Sequence, residues 1–461
     1  MSPLHHNEKE DTIVALATPP GIGAIGVIRL SGPQAISIAN LVFKGKDLLA
    51  QASHTIHFGK VMDGKVVLDE VLVAVFVAPR SFTKENVVEI SSHGSPYILQ
   101  KIINLLISQG ARLAKAGEFT KRAFMNGQFD LAQAEAVADL INADSEASHM
   151  AAMNQMRGGF SEKIKSLREE LIHFASMIEL ELDFAEEDVE FADRDQLRAL
   201  IISLQKEISL LIESFSLGNV IKNGVPTVIA GKPNAGKSTL LNTLLNEEKA
   251  IVSDIPGTTR DFIEDEIHIN GISFRFIDTA GIREARDKIE ALGIERTFAK
   301  MKAASVIIYL IDLLEETLEE ILNEKEKLDA LGIPYLFVGN KTDKVEAEQL
   351  EKLEIHFPDI ILISAAKDQH IDHLKSRLTQ LVHLDKFRTG DTIVTNIRHI
   401  ESLTNTQKAL DDTIEGIHRH VTGDFLAMDI RQSLHHLGEI TGEITTEDLL
   451  GNIFSKFCIG K

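Results

Sequence analysis

The stretch Gly231-Lys-Pro-Asn234-Ala235-Gly236-Lys237-Ser238 has the composition of a loop that holds a polyphosphate. Its glycines let consecutive backbone N–H groups turn toward one anion. Lys237 supplies a positive charge at the β and γ phosphates, and the Ser238 hydroxyl is a ligand for Mg²⁺. Three further groups follow in the order that hydrolysis of a nucleoside triphosphate needs. Asp278-Thr279-Ala280-Gly281 ends a strand-like run; Asp278 is placed to hold the Mg²⁺ shell and the Gly281 amide to sense the γ-phosphate. Asn340-Lys341-Thr342-Asp343 ends another. A carboxylate at Asp343 can accept from both N1–H and the 2-amino group of guanine. Adenine has neither donor on that edge, so the site selects GTP. Ser364-Ala365-Ala366 closes a third run and would back the base. Gly257-Thr258-Thr259-Arg260-Asp261 lies where an effector loop belongs, with Thr259 as the second protein ligand for Mg²⁺.

Many such sites orient the attacking water with a glutamine just after the Asp-Thr-Ala-Gly element. Here that residue is Ile282, which has no polar atom for the task. Glu284, Asp287 and Glu290 are the nearby replacements. Arg260, Arg283 and Arg286 are all available as charge-stabilising fingers, and none stands out.

These residues need a scaffold. Pro226–Ala230, Ser273–Asp278, Ser305–Asp312, Ile333–Asn340 and Asp359–Ser364 read as five strands, most of them separated by helical segments such as Thr239–Leu245. That alternation predicts a mostly parallel sheet covered on both faces. Before it, residues 130–215 contain no proline and are rich in Ala, Leu, Glu, Met and Lys. Two or three long helices are expected there, with a break at Arg157-Gly158-Gly159 and a loop over Phe184–Asp195. Helical texture returns from Leu384 to Leu450. Residues 12–118 read as mixed α/β, with strands at Thr12–Thr18, Ile25–Leu30, Val66–Val77 and Val87–Ser91 and a helix at Tyr97–Ile107. The expected architecture is multidomain α/β plus α: an N-terminal mixed α/β domain (1–118), a discontinuous helical domain (119–219 and 383–461), and a P-loop domain (220–382) inserted into it.

Composition sets limits. A chain of 461 residues has room for about three domains. With 44% hydrophobic and 25% charged residues it can bury real cores. The formal charge of -21 excludes a chain-wide basic footprint, and with it a DNA-coating role. Contact with RNA must be local, and Glu179–Asp195, with nine acidic residues and one arginine, is not such a place. The single cysteine, Cys458, excludes an intramolecular disulfide and a cysteine-rich zinc site, and fits a cytoplasmic setting. No apolar run is long enough to span a membrane, and Met1–Asp11 has no apolar signal core.

Two motifs mislead. Gly21-Ile-Gly23-Ala-Ile-Gly26 matches GxGxxG, but strand-like Val27–Leu30 follows where a dinucleotide fingerprint needs a helix; a glycine turn between strands is expected. Cys458-Ile-Gly-Lys461 imitates a prenylation box, but its Gly and Lys are atypical.

The Pro-Asn pair in the P-loop, the Gly-Thr-Thr-Arg-Asp loop and an apolar residue after Asp-Thr-Ala-Gly resemble the TrmE–Era–EngA side of the GTPases. Thr12–Gly26 with Thr18-Pro-Pro-Gly, Gly117-Glu-Phe-Thr-Lys-Arg-Ala-Phe124, Asp130-Leu-Ala-Gln-Ala-Glu135 and Phe457-Cys-Ile-Gly-Lys461 narrow this to the MnmE (TrmE) family of tRNA modification GTPases. The resemblance implies an N-terminal domain that dimerises and binds a 5-formyl- or 5,10-methylene-tetrahydrofolate. It implies a homodimer working with an FAD-dependent partner, MnmG (GidA), in a heterotetramer. Together they would build a carboxymethylaminomethyl or aminomethyl group on C5 of the wobble uridine of certain tRNAs. Nucleotide contacts are expected from Asn234, Ala235, Gly236, Lys237, Ser238 and Thr239, from Ser253, Asp254, Ile255, Pro256, Gly257, Thr258 and Thr259, from Asp278, Thr279, Ala280 and Gly281, and from Asn340, Lys341, Asp343, Ser364, Ala365 and Ala366. Asn234, Ser253, Ile255 and Thr258 would hold K⁺, whose charge takes the place of an arginine finger. Glu290 matches the family's water-orienting glutamate, so the catalytic set is Glu290, Lys237, Thr258 and Thr259. Folate contacts match Arg29, Glu89 and Lys461; a fourth position, usually lysine, is Gln128 here, which keeps hydrogen bonding and loses the charge. Cys458 has no assigned chemistry. The competing reading is an Era-like ribosome-assembly switch. Residues 383–461 argue against it: they contain no GxxG loop and hold eight Lys/Arg against twelve Asp/Glu.

Overall fold

A computed structural model of the chain describes residues 11–183, 194–249, 265–277, 301, 304–382 and 392–460. The N-terminal part is built from β1 (Ile13–Leu16), β2 (Ile25–Ser31), α1 (Ala35–Val42), β3 (Phe43–Lys44), β4 (Thr55–Asp63), β5 (Val66–Phe76), β6 (Val87–His93), α2 (Pro96–Ser108) and β7 (Arg112–Leu113). Helices follow: α3 (Glu118–Met125), α4 (Leu131–Asn142), α5 (Glu146–Met156), α6 (Gly159–Asp183) and α7 (Arg194–Asn223). Then come β8 (Val225–Ala230), α8 (Lys237–Lys249), β9 (Asp265–Ile269), β10 (Ile272–Phe276), β11 (Val306–Asp312), α9 (Leu318–Leu331), β12 (Tyr335–Asn340), α10 (Ala347–His356), β13 (Ile361–Leu362) and α11 (Ile371–Leu381). The chain closes with α12 (Ile397–His418), α13 (Gly423–Thr441) and α14 (Glu447–Ser455).

By contact density these elements form two units: residues 1–138, 156–192 and 416–461, and residues 139–155 and 193–415. In the first, the strand order is β3-β4-β5-β6-β2-β1-β7. β2 runs antiparallel to both β1 and β6, which sets Arg29 directly opposite Glu89. Gly21 and Gly23 lie in the connection between β1 and β2, and Gly26 is already in β2, so a strand follows where a dinucleotide loop would open a helix. One face of the sheet is covered by α1 and α2, whose Ile36, Ile38, Ile102 and Leu106 pack on Val14, Ile28, Val73 and Ile90. β4 is a strand that the sequence reading passed over. Its inward positions are His57, Gly59 and Val61, too mixed to read as an apolar run. The carboxyl-terminal helix α14 starts at a Thr446 side chain that accepts the Leu449 N–H at 3.2 Å. It buries Leu450, Ile453 and Phe454 against Leu131, Ala134 and Phe124.

The second unit holds the sheet β13-β12-β11-β8-β10-β9. Every pairing is parallel except β9 with β10. β9 had not been expected, because Asp-Glu-Ile-His-Ile buries only its alternate isoleucines at the sheet edge. β11 is buried along its whole length, as a central strand covered on both faces must be. α9 is set by a full capping box, Thr317 with Glu320, and is ended by Gly332 in the left-handed region.

Among the described residues no helix is long and apolar enough to cross a membrane.

Candidate functional sites

The phosphate loop runs from the end of β8 to the start of α8. A loop that cradles phosphate must keep its backbone clear of side chains, and this one does so sterically. A Cβ on Gly231 would lie 2.1 Å from the Leu310 carbonyl oxygen, and one on Gly236 2.3 Å from Asn340 Nδ2; both have positive φ. Asn234 at the loop tip also takes the left-handed conformation, with φ 62°. Lys237 folds its ammonium back over the loop and donates to the carbonyls of Gly231 and Lys232, each at 2.7 Å. Both acceptors are neutral, so its charge is left for an anion. Burial pushes this ammonium below the usual lysine range, with Glu316 opposing.

The residues expected to read the base are tied to this loop. Asn340, 3% exposed, donates from Nδ2 to the Ala235 carbonyl at 2.8 Å and accepts the Ala365 N–H at Oδ1 at 3.0 Å. One buried amide therefore fixes the phosphate loop and the Ser364–Ala366 segment together. Ser364 Oγ donates to Asp343 Oδ1 at 2.7 Å, which holds the Asp343 carboxyl below its usual value. Asp343 is ionised and outward, an acceptor for a donor edge. Lys341, with φ 70°, pairs with Asp312, a buried residue at the end of β11 that sequence reading did not single out. Thr243 of α8 donates to the Ala365 carbonyl at 2.9 Å and completes the tie. β10 and then Ile277, which donates to the Thr227 carbonyl at 2.9 Å, lead to Asp278. Ser253, Asp254, Ile255, Pro256, Gly257, Thr258, Thr259, Asp278, Thr279, Ala280, Gly281 and Glu290 lie outside the described residues, as does Lys461.

A second constellation lies in the first unit. Arg29 reaches across from β2 to β6 and binds Glu89 Oε1 through Nε and Nη2, both at 2.8 Å. Its guanidinium carbon sits 5.8 Å from the Phe82 ring centre and 5.7 Å from that of Phe119, so the cation is flanked by two aromatic rings. The carboxyl-terminal tail arrives at the same place. Ala116 pairs with Ile459, Gly117 N–H donates to the Cys458 carbonyl at 3.4 Å, and Arg29 Nη1 donates to the Gly460 carbonyl at 3.5 Å. Residues 431 apart in sequence thus meet. Cys458 is exposed and has a free thiol. Gln128 is exposed in the loop after α3, where its backbone N–H donates to the Ala123 carbonyl at 2.9 Å.

The profile of the MnmE helical domain matches residues 131–458, and that of the GTP-binding protein TrmE N-terminus matches residues 12–128. The chain belongs to the MnmE family of tRNA modification GTPases. It is 62% identical over 451 residues to the tRNA modification GTPase MnmE of Cytophaga hutchinsonii, covering 98% of both chains. Against the MnmE of Christiangramia forsetii it is 54% identical, covering 98% of this chain and 99% of that one. Against the MnmE of Bacteroides thetaiotaomicron it is 51% identical, covering 98% and 100%. A GTPase sheet, a TrmE N-terminal domain and a helical domain make up the fold expected of MnmE proteins, and the enzyme is a GTPase of tRNA modification.

Proposed function

We propose that this chain is a K⁺-dependent GTPase that works with an FAD-dependent partner to place a carboxymethylaminomethyl or aminomethyl group on C5 of the wobble uridine, using a folate one-carbon unit. The observation that carries the folate part is the convergence of Arg29, Glu89 and the tail Cys458–Gly460 on one spot. A carboxylate such as Glu89 suits the donor edge of a pteridine, and a cation such as Arg29 suits the carboxylates of the folate tail. Bound folate would supply a carbon at the oxidation level of formaldehyde or formate. Lys461 follows Gly460 directly in sequence and adds a second cation to the set, while Gln128 would contribute hydrogen bonding alone.

In the G domain, which we place at residues 220–382, the residues divide the work. Asp343 reads guanine, Asn340 keeps the base loop in register with the phosphate loop, and Lys237 holds the β and γ phosphates. Ser238 and Thr259 would be the protein ligands for Mg²⁺, and Asn234 with Ser253, Ile255 and Thr258 those for K⁺. The two ions when bound supply positive charge where negative charge develops on the transferring phosphate. Glu290 orients the attacking water, the task Ile282 cannot do.

A homodimer is part of this reading. The face of β4 and β5 away from α1 and α2 leaves Ile56, Phe58 and Leu72 67%, 65% and 48% exposed, an apolar area a second copy would cover.

Two experiments test the proposal. GTP turnover is expected to be at least about tenfold faster in KCl than in NaCl at equal ionic strength; equal rates would remove the K⁺ assignment. With purified partner, tRNA and folate carrying a ¹³C-labelled one-carbon unit, the label is expected in the C5 substituent of the wobble uridine. Modified nucleoside without label would show that the carbon comes from elsewhere.

A further inference from the structure

Around the turn between β7 and α3 stands a set of buried and half-buried charges, brought together from β7, α3 and the segments of Asp11 and Glu85. Glu118 is 7% exposed. Its carboxylate accepts from Arg112 Nη2 at 2.6 Å and Nη1 at 3.1 Å, from Arg122 Nη2 at 3.1 Å, and from the Lys115 backbone N–H at 2.8 Å. Asp11 bridges the same two arginines, 2.7 Å from Arg112 Nε, and Glu85 lies 3.4 Å from Arg122 on the other side. Burial opposes the ionisation of Glu118, but the Arg112 and Lys115 hydrogen bonds outweigh it and hold the carboxyl below its usual value. Ionic groups this deep lose hydration that an apolar core would not have to give up. Their return is geometric: each hydrogen bond fixes a direction, as packed leucines do not.

The direction fixed is that of residues 115–117, the edge on which the tail lies. Glu118 holds the Lys115 amide; the adjoining Ala116 pairs with Ile459, and Gly117 binds the Cys458 carbonyl. Gly460, with φ +95°, then sits so close to β1 that a Cβ would lie 2.1 Å from the Leu16 carbonyl oxygen, and its own carbonyl receives Arg29. We infer that Glu118 is the positioning residue of the folate site: it shapes the seat of the carboxyl-terminal tail and so sets where Cys458 and Gly460 stand relative to Arg29 and Glu89. The inference rests on the folate reading of Arg29 and Glu89, but its structural half stands separately.

The test uses the full chain in four forms: wild type, E118Q, G460A and the double variant. Dissociation constants for 5-formyltetrahydrofolate, amide hydrogen exchange of residues 457–460, thermal midpoint and GTP turnover are measured on each. E118Q keeps the shape and one acceptor but loses the charge. It is expected to weaken folate binding about tenfold and to speed tail exchange, with GTP turnover unchanged within about twofold. G460A should do the same from the tail side, and the double variant should bind no more weakly than the worse single one. A lowered thermal midpoint with folate binding and tail exchange both unchanged would make Glu118 a general stabiliser and overturn the inference. Multiplying effects in the double variant would overturn it too, because the two substitutions would then act on different things. If the wild type binds no reduced folate, the folate reading falls, and tail exchange alone decides the structural half: faster in E118Q upholds it, unchanged refutes it. Should E118Q not fold, R112Q takes its place with the same expected outcomes.

Discussion

An Asp343→Asn variant should exchange its base. Affinity for GTP is expected to fall by at least about 10³-fold, while xanthosine triphosphate, which wild type rejects, becomes the better ligand. The reason lies in one hydrogen-bond edge. The Asp343 carboxylate is kept ionised by Ser364 and offers acceptors only. Asparagine keeps one acceptor but puts an amide N–H₂ against the other donor of guanine, leaving two donors face to face where a hydrogen bond had been. Xanthine carries a carbonyl where guanine has its 2-amino group, and that carbonyl matches the new donor. Because Asp343 is outward and the loop is held independently by Asn340 and Thr243, the variant should remain folded. Nucleotide titrations by calorimetry would decide it. Loss of GTP binding with no gain of xanthosine triphosphate binding would mean that Asp343 supports the loop instead of reading the base.

Lys237→Ala is expected to reduce GTP turnover about 10³-fold with little effect on the fold. Its ammonium touches only carbonyls of its own loop, so removing it leaves two acceptors that water can reach, not a cavity in the core. What is lost is a half-buried positive charge that, on the proposed reading, would meet the phosphates in surroundings that make a charge more effective than in water. Single-turnover kinetics separate this from a binding defect. A near-normal rate at saturating GTP would assign Lys237 to binding alone.

The candidate nucleotide site could be proposed from sequence because its motifs are local. Gly231, Gly236 and Lys237 sit within one turn of chain, and each later element closes a strand whose apolar run is itself readable. The spacing could not reveal Asp312 as the partner of Lys341, because 29 residues separate them and any buried strand could have ended on an acid. β4 and β9 were hidden for a related reason. Each buries alternate positions only, and His57 or Gly59 inside a strand carries no apolar signal. The meeting of the tail with Arg29 was legible only through the family resemblance, which groups Arg29 and Glu89 with Lys461, and the charges that hold the tail's seat were not legible at all. Asp11, Arg112, Glu118 and Arg122 look like four solvated residues until tertiary contacts bring them together, and no periodicity encodes a contact spanning 431 residues. The family resemblance placed functional weight on Gly117–Phe124 and on Phe457–Lys461; the structure packs Phe124 and Phe457 in one cluster and bonds Gly117 to Cys458.

The central claim is that GTP hydrolysis by this chain drives modification of the wobble uridine. The most direct measurement is nucleoside analysis of tRNA from a strain lacking the gene and complemented with either wild type or K237A at matched expression. Wild type should restore the C5-substituted wobble uridines, and K237A should leave the unsubstituted nucleoside at the level of the deletion. Full modification in the K237A strain would contradict the coupling of hydrolysis to modification, and unaltered tRNA in the deletion itself would contradict the claim as a whole.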